Sequence, residues 1–185
     1  VRVIVDTNVV LDVLLARKPF VNAAVRLFGL IERGQIEGLL CATSLTTLDC
    51  LLSQSLSRAE SRETLRRLMR LFEVAPVTRA VIEEALLSRI ADFEDAVVEQ
   101  SGRLAGADAV ITSDAKDFRL SIIKALAPDE LLSFLGGLND RAEPHYRMGK
   151  RGPDDRKRTA IIRGVSEETH EDRVSKRMGR GVRAV

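Results

Sequence analysis

The first eight residues, Val1-Arg2-Val3-Ile4-Val5-Asp6-Thr7-Asn8, constrain the fold more than any other stretch. Four β-branched apolar residues run into a carboxylate. Such an almost unbroken Val/Ile run is how a strand buried on both faces reads. Asp6 then stands at the carboxyl end of that strand. In open α/β sheets ligands and catalytic groups collect there, near the point where strand order reverses. A carboxylate so placed is costly to bury unless something positive meets it. The rest of the chain is therefore read for what meets Asp6.

Helical spacing begins within two residues of Asp6, at Val9, Val10, Val13 and Leu14, and Lys18-Pro19 breaks it. A second helix spans 20–33 and ends at Gly34. Ile36–Ala42 reads as a second strand, with Thr43 or Ser44 as N-cap of a helix over 45–56 that turns Leu45, Leu48, Leu51 and Leu52 inward. A further helix, 59–72, presents Leu65, Leu68, Met69 and Phe72 at spacings of three and four. Val74–Val77 is a short edge strand, because Pro76 cannot donate to a central ladder. Residues 79–90 are helical, and Asp92-Phe93-Glu94-Asp95 opens a helix that Gly106 stops. Ala109–Thr112 and Ile122–Leu126 are the remaining strands, Pro128-Asp129-Glu130 starts a last helix, and Gly136-Gly137 closes the domain.

Strands alternate with helices throughout. The expected fold is α/β, a three-layer sandwich whose central, mostly parallel sheet of four to five short strands is flanked by helices. Aromatic residues make up only 4% of the chain, so its core must be aliphatic. The two cysteines, Cys41 and Cys50, are too few for a zinc site and read as buried free thiols. No apolar run approaches 18 residues and no signal-peptide pattern is present, so a cytoplasmic location is expected, with no membrane contact.

Asp6 and Asp114 each follow an apolar strand. Asp92 and Asp95 lie at a helix start that the same sheet edge can hold, and Asp49 lies on the helix leaving strand two. Two unit charges ~4 Å apart repel by roughly 4 kcal/mol at an effective dielectric of about 20. Converging carboxylates therefore take up protons or bind a cation. With all-oxygen donors the hard ions Mg²⁺ or Mn²⁺ are the natural choice, and such a site suits phosphodiester hydrolysis. Singly, each acid is more often structural: Asp at a helix start is usually a cap, Glu94 is expected to face solvent, and Asp117 to cap the turn into Phe118.

Val3-Ile4-Val5-Asp6-Thr7-Asn8-Val9, Ser44 through Asp49, Asp92-Phe93-Glu94-Asp95-Ala96, and Ile111-Thr112-Ser113-Asp114 with Asp117-Phe118 together resemble the PIN domain. The resemblance covers residues 1–135 or so; each motif is weak alone, but four in the right order are fairly specific. It implies a metal-dependent endonuclease acting on RNA, of the kind that includes the toxins of VapBC toxin–antitoxin pairs. Carried over, the catalytic acids are Asp6, Asp49, Asp95 and Asp114, and the metal ligands are Asp6, Asp92, Asp95 and Asp114, with Asp92 and Asp95 alternatives for the third acid. Thr7, Asn8 and Thr112 are then groups supporting the acids or facing phosphate, or ordinary caps. The implied partners are an RNA substrate, an antitoxin protein and a second copy in a homodimer. Two departures bear on activity: Asp49 stands where the family usually has Glu, and Ser113 where it often has Arg.

Other strand-Asp enzymes fit less well. A haloacid-dehalogenase-type phosphatase wants a second Asp where Asn8 stands, and a receiver domain wants paired acids ahead of its Asp. No phosphate-binding G-x-x-x-x-G-K-[ST] loop is present, and His145 and His170 both lie beyond the domain. The rival that remains is a PIN-like domain without cutting activity, serving as an RNA-binding or protein-interaction module.

Charge divides the chain in two. Residues 1–138, the nuclease-like domain, carry 16 Lys/Arg and 19 Asp/Glu, whereas 139–185 carry 13 and 8. This basic tail reads as disordered or loosely helical, either a solvated extension or a non-specific phosphate tether that includes Arg147, Lys150, Arg151 and Arg156. Tethering predicts that truncation after Leu138 weakens RNA affinity and flattens its salt dependence, read from binding isotherms at several salt concentrations; unchanged isotherms assign the tail to solvation.

Overall fold

The computed structural model describes residues 1–142, with side chains through Gly136. The tail 143–185 lies outside the described residues. The elements run β1 (Arg2–Val5), α1 (Thr7–Leu14), α2 (Val21–Glu32), β2 (Glu37–Cys41), α3 (Ala42–Leu52), α4 (Arg58–Leu71), β3 (Glu73–Ala75), α5 (Arg79–Leu86), α6 (Phe93–Leu104), β4 (Ala109–Ile111), β5 (Lys124–Leu126) and α7 (Pro128–Ala142). The five strands are all parallel, in the order β3-β2-β1-β4-β5.

β1 holds the centre because its side chains are apolar on both faces. Val3 and Val5 join the core beneath α1, α2, α3, α4 and α7, while Ile4 joins the opposite core beneath α5 and α6. All three are fully buried, each contributing on the order of 1.5–3 kcal/mol. The three-layer arrangement follows from this alternation. The chain winds outward from β1 through β2 to β3, then crosses back to β4 on the other side of β1. Strand order thus reverses between β1 and β4, so the carboxyl ends of those two strands border the crevice.

Several local expectations are corrected. α3 starts at Ala42 with Cys41 as N-cap, not at Thr43 or Ser44, because the strand passes into the helix without a loop. The Thr43 hydroxyl is engaged with Cys41 Sγ instead, at 3.1 Å. Leu48 and Leu52 face inward, which turns Cys50 and Leu51 outward, so Cys50 is exposed rather than buried. Met69 is exposed as well, since Leu68 and Phe72 take the inward face of α4. The helix expected to reach residue 90 stops at Leu86, and β5 is three residues long, leaving Ile122 exposed. α7 runs through Gly136-Gly137 to Ala142, the ~1 kcal/mol helix penalty of each glycine being overridden. Gly34 and Gly106 do terminate α2 and α6, at φ 68° and 79°.

α6 lies unusually close to β1. A Cβ placed on Gly102 would fall 2.8 Å from Ile4 Cβ, inside the central strand. Gly102→Ala is therefore expected to destabilise the fold by about 1–3 kcal/mol, measured as a lower urea midpoint; an unchanged midpoint would show that the contact has slack.

Candidate active site

Asp6 follows β1 and is 6% exposed. Its backbone N–H continues the ladder to Ile111 O at 2.9 Å, and the Thr112 N–H reaches Leu126 O at 3.0 Å. These bonds place Asp6 and Thr112 side by side at the switch point. Thr112, fully buried, uses every valence of its hydroxyl. Its Oγ1 donates to Asp6 Oδ2 at 2.8 Å and accepts from Asn8 Nδ2 at 3.2 Å and from the Asp114 N–H at 3.1 Å. Asn8 Oδ1 in turn accepts the Ser113 N–H at 3.1 Å. The Ser113 hydroxyl donates to Asp12, whose fully buried carboxylate also lies 3.2 Å from Arg17 Nε. The first turns of α1 thus grip the turn after β4.

α6 brings the second group of acids. Asp92 is its N-cap: Oδ1 accepts the N–H groups of Glu94 (2.7 Å) and Asp95 (3.2 Å), which is the usual fate of Asp at that position. Glu94 Oε1 accepts from the Thr47 hydroxyl at 2.9 Å, tying α6 to α3. Asp95 is half-buried.

The carboxylates of Asp6 and Asp95 feel one another. Burial raises the pKa of Asp6, opposed by bonds from Thr112 and from the N–H groups of Thr7 and Asn8, with Glu94 adding repulsion. Asp95 is pushed up to about 7, first by burial and then by the charges of Asp6, Asp92, Asp117 and Glu94. Residues from β1, α6 and the turn after β4 therefore share one negative field. Among the described residues, no three carboxylate, imidazole or thiol groups already stand together as a metal-binding group.

Asp49 and Asp114 are held differently. Asp49 Oδ1 accepts from the Ser61 hydroxyl at 2.7 Å, and Arg62 Nη2 lies 3.3 Å from Oδ2, so α4 occupies that carboxylate. Asp114 is exposed and accepts the Lys116 N–H at 3.3 Å, taking the turn-capping role expected of Asp117. Asp117 instead adds its charge to the field at Asp95. Glu94 and Asp117 therefore join the acidic group although sequence reasoning treated both as peripheral. The adjacency of Glu94 to Asp95, and of Asp117 to the strand-end Asp114, was the available signal. Asp12 was also missed; a carboxylate amid Val9, Val10, Val13 and Leu14 is a mark of a bonded buried acid. The Thr7 hydroxyl is buried beside Asp6 without a protein partner.

Asp95 links this field to stability. Its folded-state pKa, about 7, lies above the ordinary 3.8, so the native state binds the proton more tightly than the unfolded chain. Stability is then lost as pH rises from about 4 to about 7. Asp95→Asn is expected to gain on the order of 1–2 kcal/mol at pH 8 in chelator, after discounting for solvent screening, and little at pH 4. Urea unfolding at the two pH values measures the difference; equal effects at both would refute the raised pKa of Asp95.

The comparisons agree with this architecture. No curated protein matches the chain. Among solved structures, VapBC2 from Rickettsia felis bound to a promoter DNA fragment aligns with a TM-score of 0.56 at 12% identity, covering 69% of this chain and 98% of that one. A toxin–antitoxin complex from Klebsiella pneumoniae aligns at 0.53 and 17% identity, covering 68% and 97%. FitAB bound to an IR36 DNA fragment aligns at 0.54 and 18%, covering 68% and 94%. At these identities the likeness is one of fold. The sequence profile of the PIN domain matches residues 2–116, and the chain belongs to the PIN domain family.

Proposed function

We propose that this PIN domain is a Mg²⁺- or Mn²⁺-dependent endoribonuclease and the toxin of a toxin–antitoxin pair. The observation that carries the reading is the pair Asp6 and Asp95 at the β1/β4 switch point, where burial first, and then the charges of Asp6, Asp92, Asp117 and Glu94, push Asp95 up to about 7. Such a field attracts a cation, and the donors are hard carboxylate oxygens that suit Mg²⁺ or Mn²⁺. The unpartnered Thr7 hydroxyl beside Asp6 adds a group able to bond a water on such an ion. Asp6 and Asp95 would hold the cation, with Asp92 and Asp114 the other expected ligands. When bound, it would supply Lewis-acid stabilisation of a phosphodiester and an activated water.

The chain's own groups prepare this. Thr112 fixes one oxygen of Asp6, so the carboxylate cannot rotate. Asp95, pushed up to about 7 by burial and by its acidic neighbours, would give up its proton when a cation binds there. The proposed partner follows from the structures aligned above, two of them named as VapBC and FitAB complexes and the third as a toxin–antitoxin complex. Leu51 and Met69 on α3 and α4, 39% and 56% exposed, are available for burial by an antitoxin or a second copy in a homodimer. No helix among the described residues is long and apolar enough to cross a membrane.

One observation favours the second reading, a PIN module with little or no cutting activity. Asp49 is already bonded by Ser61 and Arg62, and that leaves the expected fourth acid engaged elsewhere.

The purified protein is expected to degrade RNA with Mg²⁺ or Mn²⁺, to stop in chelator, and to lose at least 100-fold in rate as Asp6→Asn. Gel assays of labelled RNA distinguish the readings. Activity that survives chelator, or none with any divalent metal, rejects the enzyme.

A further inference from the structure

The second half of α6 carries an acid that the proposed chemistry does not use. Glu99 lies one helical turn beyond Asp95 and is fully buried. Its Oε1 accepts from the Ser121 hydroxyl at 2.5 Å and from the Ile122 N–H, and its Oε2 accepts from Gln100 Nε2 at 2.8 Å. Gln100 Oε1 then accepts from Arg103 Nε at 2.6 Å, and Arg103 Nη2 reaches Glu84 Oε2 on α5 at 2.9 Å. A buried carboxylate is costly unless bonded; here three donors meet it, and two belong to the segment between β4 and β5.

That segment, residues 112–123, carries Asp114 and Asp117. It is fastened at its start by Thr112 and Ser113, through Asp6, Asn8 and Asp12. In its middle Phe118 is buried, 3% exposed, in the core that includes Ala96, Val97 and Val98 of α6. At its far end the single proton of the Ser121 hydroxyl is shared between Glu99 Oε1 and Ile123 O, the latter at 2.6 Å. Glu99 is the polar tie between that far end and α6.

We propose that Glu99 is a positioning residue of the acidic centre: by binding Ser121 and Ile122 it docks the segment bearing Asp114 and Asp117 onto the helix that bears Asp95. The geometry is that of a brace. One helix presents an acid to the crevice at its first turn and, a turn later, grips the loop that brings the opposing acids. The role in metal and RNA handling rests on the nuclease reading; the brace itself does not. Apolar packing would hold Phe118, but it would not fix the loop's rotation about that side chain, whereas two directed bonds to one oxygen do.

Hydrogen exchange tests the brace on the full chain, and Mn²⁺ titration tests its consequence. Glu99→Ala removes all three bonds, and Ser121→Ala removes one while leaving the buried helix intact. Glu99→Gln keeps an acceptor for Ser121 and Ile122 and loses only the bond from Gln100, whose NH2 would face that of the new amide. The amides of Asp114, Asp117 and Ile122 are expected to exchange roughly 10- to 100-fold faster in Glu99→Ala and a few-fold faster in Ser121→Ala, relative to amides of β1, with Glu99→Gln close to wild type. Mn²⁺ affinity is expected to fall roughly tenfold in Glu99→Ala and to recover in Glu99→Gln. Should Glu99→Ala not fold, Ser121→Ala decides. Unchanged exchange in the loop, or acceleration shared equally with β1, overturns the brace. Wild-type protein that leaves RNA intact sinks the nuclease reading instead, while the exchange measurement still judges Glu99.

Discussion

The bond from the Thr112 hydroxyl to Asp6 Oδ2 is where the fold and the site become one object. It spans the two strands between which the chain reverses direction across the sheet, and it forms only if β1 and β4 are parallel and in register. Thr112 Oγ1 also accepts from Asn8 Nδ2 and from the Asp114 N–H. Strand pairing, the start of α1 and the turn after β4 are thus settled together by a single side chain. A Val there would keep the volume and lose all three bonds, leaving buried Asp6 without its side-chain donor and Asn8 and the Asp114 N–H without that acceptor.

Around that bond the structure sets favourable burial against unfavourable charge. Val3, Ile4, Val5, Val110 and Ile111 are each fully buried, so the paired central strands are secure. This security allows acids from β1, α6 and the turn after β4 to be held where they repel. The strain is lowered in two ways. Some acids are committed to donors, as Asp92 is to the first amides of α6, Asp12 to Ser113 and Arg17, and Glu99 to the far loop. Asp95, less fully bonded, shifts toward the proton instead.

Much of this was legible in the order of residues. The β-branched run before Asp6, the Val/Ile run before Thr112 and the acidic opening of α6 gave the strand ends, the helix start and the family. Periodicity could not tell which polar groups would find each other. That Asp49 would be taken by Ser61 depends on how α3 crosses α4, two helices joined by a loop whose path no local pattern encodes. That Glu94 would reach Thr47, or Glu99 reach Ser121, depends on contacts between layers. Helix ends were misjudged for the converse reason. Gly136-Gly137 reads locally as a stop, yet α7, which packs along α2, runs on through both glycines to Ala142. The outward turn of Cys50 and Leu51 likewise follows from which face of α3 the sheet took, a choice between adjacent stripes of similar hydrophobicity.

The seat of α6 on the central strand has a mechanical corollary. Gly102 touches Ile4 without any intervening side chain, and seven residues separate it from Asp95, about 10 Å along the axis. The glycine works as a fulcrum and the amino end of the helix as the long arm. A rotation of about 5° there would swing Asp95 by roughly 1 Å, the scale on which misalignment of a reacting group already slows chemistry. The precision of the crevice is consequently set at a spot with no charge and no solvent, by the absence of a methyl group.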